Sequence, residues 1–494
     1  MRKDTMKETP DSANVVLIVC DTLRPDILSC YGGPVETPGF DSIAADGTLF
    51  ERAYAAGPGS SISHGALFTG KYPSESGIVG QVEVPANEIT IAEHFRKAGY
   101  DTFGIPGPSR IGSDWGYDKG FDTYLEKWRD IPSAVTLEDL QKAIDDPTLV
   151  EPMPEHFYRM AKQGDDKHTG YLVDVFMKKL ERDFDEPFFA FANFPFVHAP
   201  YDPPRPYKEK ATPELDRPAI GVLDWLPWTD ETLNKENVRL DRIREVQTGN
   251  GDPKFFADEE WLTDEELGVL RGWYRASVNY LDTHIQRLWN WLENSGKAEN
   301  TVFVVLADHG EYLGEHGLLK HMYFHFEEAL HVPLIVAGPG VPEDEIRTDY
   351  VSLVDIFDTL CDLAGIARPD FTSGHSVFDG RERDAVFAEN GIRELPDFYG
   401  KHLSSKRMDQ FERGLKSIRT DDFLFVRDSK GEETLYELPD EKEVTDLDPS
   451  SEQFEPLRDR LFDVLGTEYT SDEGYGNDID QSVAENLREL GYIE

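Results

Sequence analysis

Apolar residues along this chain fall into two alternating rhythms. Short runs of β-branched and aromatic residues recur: "NVVLIVC" (14–20), "DTFGI" (101–105), "EPFFAFANF" (186–194), "TVFVVLA" (301–307) and "HVPLIVA" (331–337). Each is the length of a strand, and each is apolar on both faces, as strands covered on both sides are. Between them, apolar positions move to helical spacing. "TPGFDSIAADG" reads as a short helix stopped by Gly47, and "ITIAEHFRKAGY" as an amphipathic helix leading into a strand. From about Leu267 to Asn294, Leu270, Trp273, Val278, Leu281, Ile285 and Leu288 share one face of a long helix. "VDIFDTLCDLAG" is another helix, ending at Gly365. This alternation predicts an α/β fold: a mostly parallel central sheet flanked by helices.

Two regions break the rhythm. Residues 125–185 and 200–262 are rich in Pro, Trp and charge, and read as helical or irregular insertions over one rim. Past residue 390 the pattern changes again. "SIRTDDFLFVRD" and "ETLYELP" predict antiparallel strands around a turn at Ser429–Gly431, and "QSVAENLRELG" a last helix. The expected organisation is an α/β domain over 1–390 and a smaller antiparallel α+β subdomain over 391–494.

Charge narrows the partners. The chain has 494 residues, with 96 Asp plus Glu against 50 Lys plus Arg, a formal charge of −46. That excess repels nucleic acid and anionic membranes, so neither is expected as a partner. It suits a solvated acidic surface that stays soluble at high salt, and a halophilic source is expected. Cys20, Cys30 and Cys361 are scattered, without the spacing of a disulfide framework or a zinc cluster. No apolar run approaches a signal core or a membrane span, so a cytoplasmic protein is expected. Oligomeric state is not legible.

Candidate chemistry sits at strand ends. Asp21 follows the first strand, Asp308 and His309 follow "TVFVVLA", and His198 follows "FFAFANF". In open α/β sheets functional groups gather beyond the carboxyl ends of strands, and two carboxylates with an imidazole suit a divalent cation. Taken singly, each has a plainer reading as a helix cap, turn or loop residue. In "AAGPGSSISHGALFTGKYP" (55–73) a Gly-Pro-Gly turn precedes a short helix starting at or after Ser60. A hydroxyl there suits a nucleophile attacking an anionic ester, and equally an N-cap at Ser60 or Ser63. His64, one turn on, is placed to touch the Ser60 hydroxyl or a substrate oxygen.

In order along the chain, "NVVLIVCDTLRPDILSCYGG", "SHGALFTGKYPSESG", "FFAFANFPFVHAPYDPP", "NTVFVVLADHGEYLGEHG" and "HVPLIVAGPG" resemble the sulfatases of the alkaline phosphatase superfamily. The likeness runs nearly the whole length and implies that superfamily's fold, with its C-terminal antiparallel subdomain. It implies Ser60 as nucleophile, nine residues before Thr69. Asp21, Asp308, His309 and the Ser60 oxygen would be ligands of one divalent ion: Ca, Mg or Mn, with Zn also compatible. Lys320 would contact the substrate's anionic group, and His198 the substrate or its leaving group. Asp-His at 308–309 resembles phosphonate- and phosphodiester-cleaving relatives more than arylsulfatases, which usually carry Asp-Asn. His316 reads as supporting or structural, and His321, His325 and His331 as loop or packing residues.

The departures bear on reaction type. Family members oxidise a Cys or Ser to formylglycine within Cys/Ser-x-Pro-Ser-Arg; here the window is Ser60-Ser61-Ile62-Ser63-His64, without the Pro or the Arg. That frame argues against formylglycine at Ser60 and leaves His64 either to protonate a leaving group or to fill the arginine's supporting role. The second Asp of the usual pair is Thr22. A lysine and a histidine expected after "AGYDT" are absent, with Arg110 as their one stand-in. Formylglycine hydrate expels sulfate by re-forming its carbonyl, whereas plain serine cannot. A phosphoserine can be hydrolysed by metal-assisted in-line attack. The expected activity is hydrolysis of a small anionic ester: sulfate, phosphate or phosphonate. A phospho-alcohol transferase of the same fold and an inert anion-binding homologue are the alternatives.

Overall fold

The structure, a computed structural model, describes residues 12–80, 82–127, 169–182, 187–211, 239–247, 262–321, 323–395, 403–444 and 454–471. Its centre is an eight-stranded sheet. The strands are β1 (Asn14–Cys20), β2 (Gly47–Tyr54), β3 (Asp101–Ile105), β4 (Thr123–Tyr124), β5 (Phe188–Phe194), β6 (Thr301–Leu306), β9 (His331–Ala337) and β10 (Glu345–Ser352). β7 (Tyr312–Leu313) and β8 (Leu319–Lys320) form a separate small ribbon. Spatial order in the large sheet is β10-β2-β9-β6-β1-β5-β3-β4. β1, fully buried, sits in the middle, parallel to both β5 and β6. The strand "HVPLIVA" (β9) runs antiparallel to β6 and β2, so the sheet is mixed but mostly parallel.

Among the longer strands of the large sheet, β2 and β10 lie outside the sequence expectation. Their alternation is irregular because a bulge interrupts each: β2 slips against β9 between Phe50 and Ala53, and β10 slips between Arg347 and Tyr350. Gly47 needs correction too. Helix α1 (Pro38–Ala45) ends on Asp46, and Gly47 opens β2. A Cβ on Gly47 would stand 2.1 Å from the Val336 carbonyl, so the glycine permits close strand approach and is no helix stop.

Helices cover the sheet where expected. The long helix spans Asp264–Asn294, capped by Thr263, whose hydroxyl accepts from the Glu266 N–H. Its Asp282 accepts the N–H groups of Gly39 (3.2 Å) and Phe40 (3.0 Å), and so caps α1 from outside. Helix α2 (Ser60–Thr69) is buried along its whole length, with Phe68 edge-on to Phe191 of β5 at 5.0 Å. Helix Ile356–Leu363 is followed by Gly365 at φ 71°. In the two inserted regions the described residues include helices Thr169–Arg182, Arg205–Ala211 and Leu240–Gln247. No helix among the described residues is long and apolar enough to cross a membrane.

The C-terminal part is a five-stranded antiparallel sheet, β11 (Val386–Asn390), β12 (Leu415–Arg419), β13 (Phe423–Asp428), β14 (Glu433–Glu437) and β15 (Lys442–Glu443), in sequence order. Its first strand starts a few residues ahead of 391. The turn expected at Ser429–Gly431 joins β13 to β14, with Gly431 at φ 87°. Helix Phe454–Leu465, which the sequence reading did not include, packs Phe454, Leu461 and Leu465 onto Ile418, Phe425 and Leu435. The expected helix "QSVAENLRELG" lies outside the described residues.

His325 pins the two parts together. Its Nδ1 meets Ser417 Oγ and its Nε2 meets Asn390 Oδ1, each at 2.8 Å. Burial holds its pKa down at about 4, against the pull of Asn390. The unfolded chain therefore takes up a proton near pH 6.5 that the folded chain refuses until about pH 4. Stability is full above pH 6.5 and falls as pH drops through that window, by up to about 3 kcal/mol from this residue. Urea denaturation at a series of pH values should show the loss, and His325→Gln should flatten the curve.

Candidate active site

β1 and β6 are parallel neighbours in register, with Val19 opposite Leu306. Asp21 lies two residues past Val19 and Asp308 two past Leu306, so equivalent positions on adjacent strands deliver both carboxylates to one place. His309 follows at once. Ligand atoms of Asp21, Asp308 and His309 all lie within 4.8 Å of one another. His309 Nε2 is 3.4 Å from Asp308 Oδ2 and 3.9 Å from Asp21 Oδ1, and all three side chains are fully buried. Two ionised carboxylates in a dry interior repel each other and cost several kcal/mol unless a cation joins them.

Local detail fits such a cation. Asp308 Oδ1 accepts the Thr22 N–H at 3.3 Å, while its Oδ2 is buried without a hydrogen-bond donor. The Thr22 hydroxyl is likewise buried without a hydrogen-bond partner, and Thr22 takes a left-handed φ of 60°, strained for a β-branched residue. Tyr274 OH holds that turn by donating to the Thr22 carbonyl at 2.8 Å. His309 Nδ1 donates to the Gly310 carbonyl at 3.0 Å, which fixes Nε2 as the lone-pair nitrogen. Burial lowers its pKa to about 4, outweighing Asp308, so the ring is neutral and able to ligate. Carboxylate and hydroxyl oxygens with one imidazole suit a hard or borderline divalent ion.

Ser60 arrives from α2. Gly59, extended at φ −162°, is the N-cap, so neither Ser60 nor Ser63 caps the helix as an N-cap reading would have it. Ser60 is the first helical residue, at the positive end of the helix dipole, and its Oγ meets His309 Nε2 at 3.1 Å. Ser63 Oγ donates to the Asp308 carbonyl, tying the helix to the strand end.

His64 does not touch the Ser60 hydroxyl. It is fully buried beneath α2, its Nδ1 donating to the Ser60 carbonyl at 2.9 Å and lying 3.5 Å from Asp308 Oδ2. Its Nε2 takes the Asn193 amide at 3.2 Å. Burial lowers its pKa, so it stands neutral with both nitrogens engaged. A leaving-group acid would need a free nitrogen, and both of these have neighbours.

His198, in the loop after β5, is buried, with Nδ1 donating to the Ala199 carbonyl at 2.6 Å. The structure places His321 between it and the metal-type cluster: ring centroids are 4.2 Å from His309 and 5.1 Å from His198. His321 Nδ1 lies 3.2 Å from Glu311 Oε1, and its Nε2 is buried without a hydrogen-bond partner. This corrects the reading of His321 as a loop or packing residue. Its only signal in sequence was adjacency to Lys320, and Glu311 and Asn193 gave none. Lys320 stands half-buried on β8, at φ 62°, next to His321. Arg110 is buried in the turn after β3, its carbonyl taking Ser61 Oγ at 3.4 Å and its guanidinium 5.7 Å over Trp115. His331, by contrast, packs as expected, against Glu327 and the Glu51 carbonyl.

Comparison with known proteins places the chain in a family. The sulfatase profile matches residues 13–366, and the chain belongs to the sulfatase family. It is 28% identical to an arylsulfatase of Clostridium perfringens, over 94% of this chain and 95% of that one. It is also 28% identical to human iduronate 2-sulfatase, over 73% and 70%. Among solved structures, the phosphonate monoester hydrolase of Agrobacterium radiobacter superposes with TM-score 0.67 at 24% identity, covering 92% of this chain and 95% of that one. The one from Silicibacter pomeroyi gives 0.68 at 19%, covering 91% and 94%. Those two establish the shared fold.

The charge argument has a testable sign. In metal-free protein, Asp308→Asn removes a buried charge and keeps an oxygen for the Thr22 N–H, so stability should rise by about 1 kcal/mol. Added divalent ion should stabilise the parent by more than it stabilises the variant. Thermal melts with chelator and with metal measure both, and a purely structural Asp308 would give the opposite sign.

Proposed function

We propose that this chain is a metal-dependent hydrolase of small anionic esters, with Ser60 as the nucleophile. The observation that carries the reading is the meeting of Ser60 Oγ with His309 Nε2 beside the Asp21 and Asp308 carboxylates. Asp21, Asp308, His309 and the Ser60 oxygen would hold the ion. When bound, that ion supplies Lewis-acid charge for the ester's non-bridging oxygens and for the attacking oxygen.

The chain's own residues supply the rest. The α2 N-terminus presents the positive end of its dipole where an anionic group must sit when Ser60 attacks in line. His64 holds the first turn of α2 by the Ser60 carbonyl, and so fixes where the hydroxyl points. Lys320 contacts the anionic group, and Arg110 stands in for the family's missing lysine and histidine. His198 has its Nδ1–H tied to Ala199, which aims Nε2 at the departing oxygen, and the doubly protonated ring would pass the Nε2 proton to it. His321, held by Glu311, keeps the rings of His309 and His198 in line.

Ester class turns on the state of Ser60. As plain serine it forms a phospho-enzyme that water can break, which favours phosphate or phosphonate esters. His309, where arylsulfatases usually carry Asn, supports that reading. If Ser60 is oxidised to formylglycine, sulfate esters follow, as the names of the relatives suggest. Mass spectrometry of the peptide carrying Ser60, read for the loss of two hydrogens, should find unmodified serine. A panel of aryl sulfate, phosphate, phosphodiester and phosphonate should then show turnover at phosphorus, falling at least about 10³-fold in Ser60→Ala. Turnover unchanged by that substitution would remove Ser60 from the role.

A further inference from the structure

Away from Ser60, three ligand-type side chains from distant parts of the chain converge where the two sheets meet. His316 comes from the loop between β7 and β8, Glu328 from the short helix Glu327–Leu330 ahead of β9, and Glu441 from the turn between β14 and β15. His316 Nε2 lies 3.2 Å from Glu328 Oε2 and 3.3 Å from Glu441 Oε2, and one atom from each residue lies within 4.8 Å of the others. Ligands bound tetrahedrally to one zinc-sized ion at 2.0–2.1 Å stand roughly 3.4 Å apart.

Each member is held in place from outside the cluster. The Glu441 side chain is 4% exposed, and its Oε1 is taken by Arg419 and by the Glu327 N–H at 3.0 Å, which turns Oε2 inward. Glu328 Oε2 is buried, with His316 Nε2 at 3.2 Å as its neighbour. The His316 ring lies flat on Phe326, centroids 3.9 Å apart and planes at 9°. The His316 side chain keeps 25% exposure, which leaves a solvent face for ion passage and a water ligand. A divalent ion brings two charges to the two carboxylates.

We infer that His316, Glu328 and Glu441 form a second divalent-metal site, separate from the Ser60 centre, that takes a zinc-class ion and clamps the loop between β7 and β8 to the C-terminal sheet. One imidazole and two carboxylates suit Zn in a site of three protein ligands with one position open to water. Because that loop leads into β8, which carries Lys320, the clamp also braces the lysine.

The test uses the full chain in the Asp308→Asn background, where the Ser60 centre is disabled. Protein is stripped with chelator, reloaded with Zn²⁺ alone, desalted, and its zinc counted by mass spectrometry. Asp308→Asn should keep one zinc per chain and gain several degrees of melting temperature from it. Adding His316→Ala or Glu328→Gln should abolish both, with circular dichroism reporting the fold; two part-exposed positions guard against one variant misfolding. If Asp308→Asn binds no zinc, or if both double variants retain the ion and the melting shift, the site does not exist.

Discussion

The constraint on which the site depends is electrostatic: two carboxylates, Asp21 and Asp308, are delivered to one dry place by adjacent parallel strands. Register decides it: with Val19 opposite Leu306, the positions two residues on from each lie side by side at the strand ends. A buried like-charged pair is unstable alone. The surrounding groups are those that temper it: the Thr22 N–H on one oxygen of Asp308, a neutral histidine whose lone pair faces the pair, and the positive end of α2. Core packing thus forces the charges together, and their repulsion in turn calls for a cation.

Legibility in the sequence followed how local each signal was. β1, β5 and β6 were plain because strands covered on both faces are apolar throughout, and length alone separates them from helices. β2 and β10 were missed because a bulge breaks their alternation, and bulges are set by the neighbouring strand. The turn at Ser429–Gly431 was readable because Gly431 needs a left-handed backbone that few residues accept.

For the candidate site the split is similar. Asp21, Asp308, His309 and Ser60 were visible as residues at strand or helix ends, whose positions one chain segment decides. His321 and Asn193 were not, since what qualifies them is a neighbour far along the chain: His321 lies against His309 and His198, and Asn193 under His64. His64 misled for the opposite reason. Helical spacing puts it one turn from Ser60, correctly, but tertiary packing turned the ring under the helix and onto the backbone carbonyl. Spacing gives the neighbour; burial decides which atom of it is met.

The two departures from the family pattern closest to Ser60 are best understood together. The family pattern that the sequence resembles has a second aspartate where this chain has Thr22, and an arginine where it has His64. One substitution removes a negative charge and the other a positive one, so the net charge around the cluster is conserved. Both residues contact the same side chain: Thr22 N–H reaches Asp308 Oδ1 at 3.3 Å, and His64 Nδ1 lies 3.5 Å from Asp308 Oδ2. An aspartate at 22 without the arginine would put a third carboxylate beside two, so the two exchanges together leave the charge balance around Asp308 as the family pattern has it while giving up two ionic contacts.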